Sequence, residues 1–410
     1  MRRVLLIFAL VIVGAISIDG YSVFPKKSIA ANTENKKLTI AALKPSPDHK
    51  WMVLELESLS DTENVPDSWV RIVANDHQQK YFFDIKPLTA NTKKYFRELP
   101  IGWKNANCFI VARFSPRDKD NNLVSIIQIT VPAMREETIA QFVSAKTLFQ
   151  KQNAQNGSME NFTLHPECDA LLFTRNILPS SNVKDIPSPA DIANLFATSF
   201  QRVYRLGLTS KQVTALGDLP PNYRCSGISH NCFRAANQSL LVVATPVKDP
   251  PGNHARVFSL QDNQFIKSAI SSESASTRGF FSPDDSKIAF ALPPFNQGFS
   301  ASGKVQIMET GNPQKQKTYS TSSSVQQVEW SADNHQILVY SQFAEKPTLS
   351  IIDYRKNRSE NITLPWKDDF IAVWDESENG MMLLGRKNEV WSMDVTTRKS
   401  KLLFKVLVKE

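Results

Sequence analysis

The sequence predicts an all-β chain: a seven-bladed β-propeller of four-stranded antiparallel blades, with one or two short helical insertions near the third blade. Three observations point there. A motif of one aromatic or apolar residue, a polar turn and an apolar strand recurs along the chain. Each copy is followed by a second short stretch whose apolar residues alternate with period two, the mark of strand rather than helix. The later copies, at Phe233, Phe281, Trp330 and Trp374, recur about every 45 to 50 residues, the interval of a propeller blade.

The motif copies begin, in order, with PSPDHKWMVLE at Pro45, GWKNANCFIVA at Gly102, LHPECDALLFT at Leu164, FRAANQSLLVV at Phe233, FSPDDSKIAFA at Phe281, WSADNHQILVY at Trp330 and WDESENGMMLL at Trp374. The alternating stretches that follow are WVRIVAND from Trp69, LVSIIQIT from Leu123, RVYRLGL from Arg202, ARVFSLQ from Ala255, KVQIMET from Lys304, TLSIIDY from Thr348 and EVWSMDV from Glu389. A fourth short strand follows most of them, such as KYFFDI from Lys80 and SKLLF from Ser400. One such unit cannot bury both faces alone. Packed in a ring, each covers its neighbours and leaves only short edges exposed.

In these units Pro283 and Pro47 preset a turn, and Asp284, Asp48 and Asp333 hydrogen-bond the turn's own backbone. The adjacent carboxylates Asp284 and Asp285 invite an acid/base or metal reading. Their place is filled elsewhere by Asp48-His49, Asp333-Asn334 and Ala236-Asn237, so position recurs while chemistry does not, and a turn former is expected. Ser-Pro-Asp before an apolar strand, as in FSPDDSKIAF, and RVYRLGLTSKQVTALGD from Arg202 resemble the TolB-like, or PD-type, propeller repeat over roughly residues 38 to 408. That resemblance implies a propeller. Its members range from periplasmic interaction proteins to the non-catalytic half of prolyl peptidases, so it transfers no single function.

Around the repeats lie other segments. Arg2 and Arg3, the apolar run Val4 to Val13, and Ala15-Ile16-Ser17 fit an export signal over residues 1–17, with an uncleaved anchor as the alternative. Residues 18–37 read as a linker and 38–410 as a single propeller domain. MREETIAQFVSAKTLFQ from Met134 spaces Ile139, Phe142, Val143 and Phe149 as a helix would, which places a helical insertion at about 134–150. SPADIANLFATSF from Ser188 reads as a second, capped by Ser188 with Pro189 in its first turn.

Hydrophobic residues make up 41% and charged residues 21%, as in an ordinary globular protein rather than a disordered one. The formal charge of +8 is not interleaved with aromatic residues, which argues against nucleic-acid binding. Four cysteines suit an oxidising compartment and allow three pairings. Joining Cys225 to Cys232, and so Cys108 to Cys168, needs a loop between the first two, because an extended chain would hold them about 20 Å apart. Pro220-Pro221-Asn222 and Gly227 favour such a loop.

Catalytic signatures are missing. There is no Gly-x-Ser-x-Gly elbow, His-Glu-x-x-His pair, phosphate loop or calcium loop, and Ser181 to Lys184 matches Ser-x-x-Lys without supporting residues. His49, His77, His165, His230, His254 and His335 fall at no metal-ligand spacing. Asp118-Lys119-Asp120 reads as a polar tip between strands. No cofactor is expected. The expectation is an exported scaffold, periplasmic or secreted, that binds a protein partner, with no nucleic acid and no stable membrane span unless the N-terminal segment is kept. The alternatives are a propeller hydrolase or lyase acting on glycans or esters at an axial site, and a carbohydrate or ligand sensor.

Overall fold

A computed structural model describes residues 37–59, 67–74, 82–84, 97–146, 152–153, 155–165, 169–178, 198–228, 241–246, 254–274, 278–292, 303–321, 325, 327–341, 348–364, 366, 368, 370–375 and 380–406. The predicted export signal, most of the linker and residues 188–197 of the second predicted helix lie outside the described residues, and Phe200 at that helix's predicted end opens a strand.

The chain is a seven-bladed β-propeller. Blade one holds β1 (Lys37–Pro45), β2 (Trp51–Leu59), β3 (Asp67–Ala74) and β4 (Phe82–Asp84). Blade two holds β5 (Arg97–Asn105), β6 (Cys108–Pro116), β7 (Asn121–Thr130) and β8 (Arg135–Ala145). Blade three holds β9 (Met159–His165), β10 (Ala170–Ile177), β11 (Phe200–Gly207) and β12 (Val213–Asp218). Blade four holds β13 (Tyr223–Ile228), β14 (Leu241–Pro246), β15 (His254–Ser259) and β16 (Gln264–Ser274). Blade five holds β17 (Arg278–Phe281), β18 (Lys287–Leu292), β19 (Lys304–Glu309) and β20 (Gln316–Ser320). Blade six holds β21 (Gln327–Trp330), β22 (Gln336–Ser341), β23 (Thr348–Asp353) and β24 (Arg358–Ile362). Blade seven holds β25 (Ile371–Asp375), β26 (Met381–Arg386), β27 (Glu389–Asp394) and β28 (Ser400–Lys405).

Within each blade consecutive strands pair antiparallel, and the first strands of successive blades approach one another around the axis. Burial follows that order. Every residue of β10, a second strand with neighbours on both faces, is buried, whereas β12 at the perimeter is exposed or half-buried throughout. The apolar alternation read in the second and third strands therefore feeds the interfaces between blades, where the core lies. Gly279 marks one tight approach: a Cβ there would stand 2.6 Å from the Val243 side chain of the preceding blade.

The predicted helix at about 134–150 is corrected. Its residues Arg135–Ala145 are β8, paired with β7 from Thr130 opposite Arg135 to Asn121 opposite Ala145. Ile126 faces Ala140 while Ile127 faces Thr138, so Ile139 is an extra, bulged residue. Ile139 is buried. One inserted residue breaks the period-two pattern and leaves apolar spacings that mimic one helix face. No helical insertion is found among the described residues of this region.

Three interfaces share a clamp. The indole N–H of Trp103 on β5 donates to the Lys44 carbonyl of β1, at 3.0 Å. Trp330 on β21 donates to the Phe280 carbonyl of β17 at 3.0 Å, and Trp374 on β25 to the Glu329 carbonyl of β21 at 3.2 Å. Each donor occupies the aromatic position that opens the sequence motif, and each acceptor lies one residue before that position in the preceding blade. Where blade one closes on blade seven, Pro45 takes that place. Closure rests instead on a shared apolar cluster, with Ile40 and Leu43 against Ile371 and Leu383, and on the Ile40 N–H donating to the Lys387 carbonyl at 2.8 Å.

Candidate docking face

The up-down path of each blade sends its connections alternately to two faces of the ring. One face carries the links between first and second and between third and fourth strands. The other carries the links between second and third strands and from each blade to the next. The first face is largely built of short turns, and the turn motif shows how.

Ser46, Ser282 and Ser331 each donate their hydroxyl to the carboxylate two residues on, of Asp48 (2.8 Å), Asp284 (2.6 Å) and Asp333 (2.6 Å). The same Oδ1 atoms accept the backbone N–H of Lys50, Ser286 and His335. Each serine hydroxyl in turn accepts the N–H of the residue five on: Trp51, Lys287 or Gln336. The residue after the aspartate is left-handed, with φ of 56° at His49, 57° at Asp285 and 61° at Asn334. Pro47 and Pro283 stand just before Asp48 and Asp284, where a fixed φ suits the turn. Against the upward push of partial burial, the hydrogen bonds from Ser282 and Ser286 hold the Asp284 carboxyl below its ordinary value, and those from Ser331 and His335 do the same for Asp333. These bonds engage Oδ1 of each carboxylate within its own turn, which is what a turn former does. Asp284→Ala should cost about 1 kcal/mol of stability, the worth of such a local capping bond. Thermal melts check this, and a variant as stable as the parent would remove the turn role.

The described histidines are not gathered: His49 and His335 lie in the turns of blades one and six, His165 ends β9 and His254 begins β15, while His77 and His230 lie outside the described residues. The Nδ1 of His49 sits 3.3 Å from an Asp375 carboxylate oxygen of blade seven, joining two neighbouring turns. Asp118 accepts the N–H groups of Asp120 and Asn121 and closes its own tip. No group of three metal-binding side chains occurs among the described residues. Cys108 opens β6 and Cys225 lies buried on β13. Cys168 and Cys232 are outside the described residues; of the stretch from Cys225 to Cys232 expected as a loop, residues 225–228, with Gly227, belong to β13, and residues 229–232 lie outside the described residues.

Two buried polar clusters escaped the sequence reading, because each is assembled from different blades. Between blades one and two, Glu98 is fully buried and accepts the Val70 N–H (3.0 Å) and the Arg113 Nε–H (2.8 Å). The carboxylate satisfies a β3 donor beyond the reach of the three-residue β4. Beside it, Glu55 accepts the Ser68 hydroxyl at 2.9 Å. Burial pushes both carboxyls up to about 7, against the pull of Arg97 on Glu55 and of Val70 and Arg113 on Glu98. Such values suit proton transfer, but both groups are sealed between blades, so they serve the ring rather than a substrate.

Between blades three and four, Gln201 donates to Glu160 (3.0 Å) and Asn176 (2.8 Å) and accepts the Cys225 N–H (2.7 Å). Arg224 donates to the Ser199 hydroxyl. Burial lowers its guanidinium to about 10, with Glu160 pulling the other way. Asn161 donates to the Thr174 hydroxyl and the Cys225 carbonyl at 3.1 Å each.

The second face differs in chain length. Its connections include residues 85–96, 146–158, 178–199 and 293–303, all longer than the turns of the first face except the link over 229–240. Tyr95, Phe96, Phe149, Phe196, Phe295 and Phe299 belong to them.

No known sequence family matches the chain, and no curated protein does. Solved structures similar to it include a prolyl endopeptidase (9% identity, TM-score 0.57, covering 92% of this chain and 51% of that one). They also include the Pyrococcus horikoshii acylaminoacyl peptidase (11% identity, TM-score 0.55, covering 90% and 52%). TolB from Acinetobacter baumannii is a third, at 13% identity and a TM-score of 0.40, covering 81% and 65%. The chain thus spans about half the length of the two peptidases and under two thirds of the TolB chain. At these identities the likeness is one of fold, and the seven-bladed ring agrees with the TolB-like repeat in the sequence.

Proposed function

We propose that this propeller is an exported interaction scaffold that docks a protein partner on the face formed by its longer connections. The observation that carries the reading is the inequality of the two faces. The first is mostly closed by tight, self-satisfied turns. The second carries four of the five longest connections, and these include Tyr95, Phe96, Phe149, Phe196, Phe295 and Phe299, side chains of the kind that anchor protein interfaces. Loops on a rigid scaffold are where binding residues concentrate. The buried carboxylates near pKa 7 do not favour an enzyme, since the ring encloses them.

Affinity capture with the full chain as bait, followed by cross-linking, tests this. Replacing Phe295 and Phe299 by Ser should release the captured partner while leaving the melting temperature unchanged. Retention of the partner by that variant, with its loss on replacing Lys50 and His335 of the opposite face by Ala, would sink the reading.

A further inference from the structure

The net charge of the chain is concentrated on one arc of the perimeter. In every blade the fourth strand pairs only with the third, so it forms the outer edge. Residues 310–320, 354–362 and 394–406, which are the fourth strands of blades five, six and seven with the turns that lead into them, contain nine Lys and Arg. They contain two acidic residues, Glu360 and Asp394. The corresponding segments of blades two to four, residues 131–145, 208–218 and 260–274, hold three basic residues against five acidic ones. Lys315, Lys356 and Lys405 of this arc pair with Glu309, Asp353 and Glu389 of the third strands, and the arc stays basic when those carboxylates are counted.

The arc is continuous. The Ser359 hydroxyl of β24 donates to the Ser320 carbonyl of β20 at 3.4 Å, and the Tyr319 hydroxyl donates to Asn357 at 3.2 Å. Arg398 of blade seven reaches back to Glu360 of blade six. Arg358 and Arg398 both share Glu360, so the surplus charge falls mainly on lysines. Lys317 stands 5.0 Å over the Tyr354 ring, and Lys399 and Lys401 are exposed; none of the three is ion-paired with a described carboxylate.

We propose that this rim binds an anionic phospholipid bilayer. Lysine is a hydrated point charge on a flexible stem, suited to a diffuse anionic surface rather than to forked recognition of one group. A protein interface would want apolar anchors, and the one strongly exposed large hydrophobic residue among the described residues, Val213, lies on blade three. Charges held near such a surface act additively within a Debye length, so binding should fall steeply with salt. This function is separate from the docking of a protein partner.

Cosedimentation of the full chain with vesicles tests it. Vesicles of phosphatidylcholine mixed with phosphatidylglycerol should bind and phosphatidylcholine alone should not, with binding lost on raising salt. The variant K317Q/K399Q/K401Q should bind about a hundredfold more weakly, from three charges near an anionic surface, with an unchanged melting temperature. The variant K50Q/K119Q/K211Q, which removes equal charge from blades one to three, should bind as the parent does. Equal loss in both variants would reduce the effect to net charge and overturn the proposal. So would binding to soluble polyglutamate with none to the anionic vesicles, which would make the partner an acidic polypeptide.

Discussion

Glu55→Gln should stabilise the ring at pH 8 by about 3 kcal/mol and flatten its pH dependence between pH 5 and 8. The Glu55 carboxyl is buried between blades one and two, and burial raises it from an ordinary value of 4.5 to about 7. A carboxyl that holds its proton more tightly when folded favours the fold while protonated. That contribution is fully present below pH 4.5 and is lost as pH rises through 7, because the folded chain must then hold a desolvated charge or give up a proton late. A shift of this size corresponds to about 3 kcal/mol. Gln fills the same volume without titrating, and its amide oxygen still accepts from the Ser68 hydroxyl. Glu98 and Glu57, both raised by burial, keep a slope of the same sign. Denaturant unfolding of parent and variant at pH 5 and pH 8 reads both effects. A variant less stable than the parent at pH 8, with its pH slope intact, would mean that Glu55 is ionised and compensated in the folded ring.

How much was legible in the sequence follows from the range of the interactions involved. The second and third strands of every blade were readable, because a strand between two neighbours is apolar over a short window and that signal is local. The turn of Ser282, Asp284 and Ser286 was readable for the same reason: the hydrogen bonds of the Ser282 hydroxyl and the Asp284 carboxylate close within five residues. Strand β8 was misread because the bulge at Ile139 shifts its alternation, and a bulge is defined by the partner strand, which lies elsewhere in sequence. Glu55 and Glu98 were invisible as a pair. They are far apart along the chain, and no local pattern tells that β4 stops short and leaves the Val70 N–H to a side chain. The basic rim lies between these cases. The lysines near the end of the chain were plain, but only the ring places them beside Lys317 and Arg355.

The aromatic residue that opens the motif was visible as a pattern and opaque as a cause. Trp330 shows what it does, and its removal should be among the most costly single changes to the ring. Its side chain belongs to a buried apolar cluster with Ala289 and Ile307 of blade five and Ile337 and Val339 of blade six, and its indole N–H ties the Phe280 carbonyl of the preceding blade. Trp330→Ala should cost about 3 to 5 kcal/mol, the range for deleting a buried aromatic side chain. Trp330→Phe retains most of the packing and forfeits the hydrogen bond, for roughly 1 kcal/mol plus a smaller cavity term. The two substitutions together divide the clamp into its apolar and polar parts. Hydrogen exchange locates the damage: the amides of β17 and β21 should lose protection in both variants, while those of β6 and β7, across the ring, change only with global stability. Uniform loss of protection in Trp330→Phe would show that the indole bond acts on the ring as a whole. No loss at β17 would show that the indole bond adds nothing to the apolar contact of the Trp330 side chain, and the same would then be expected of Trp103 and Trp374.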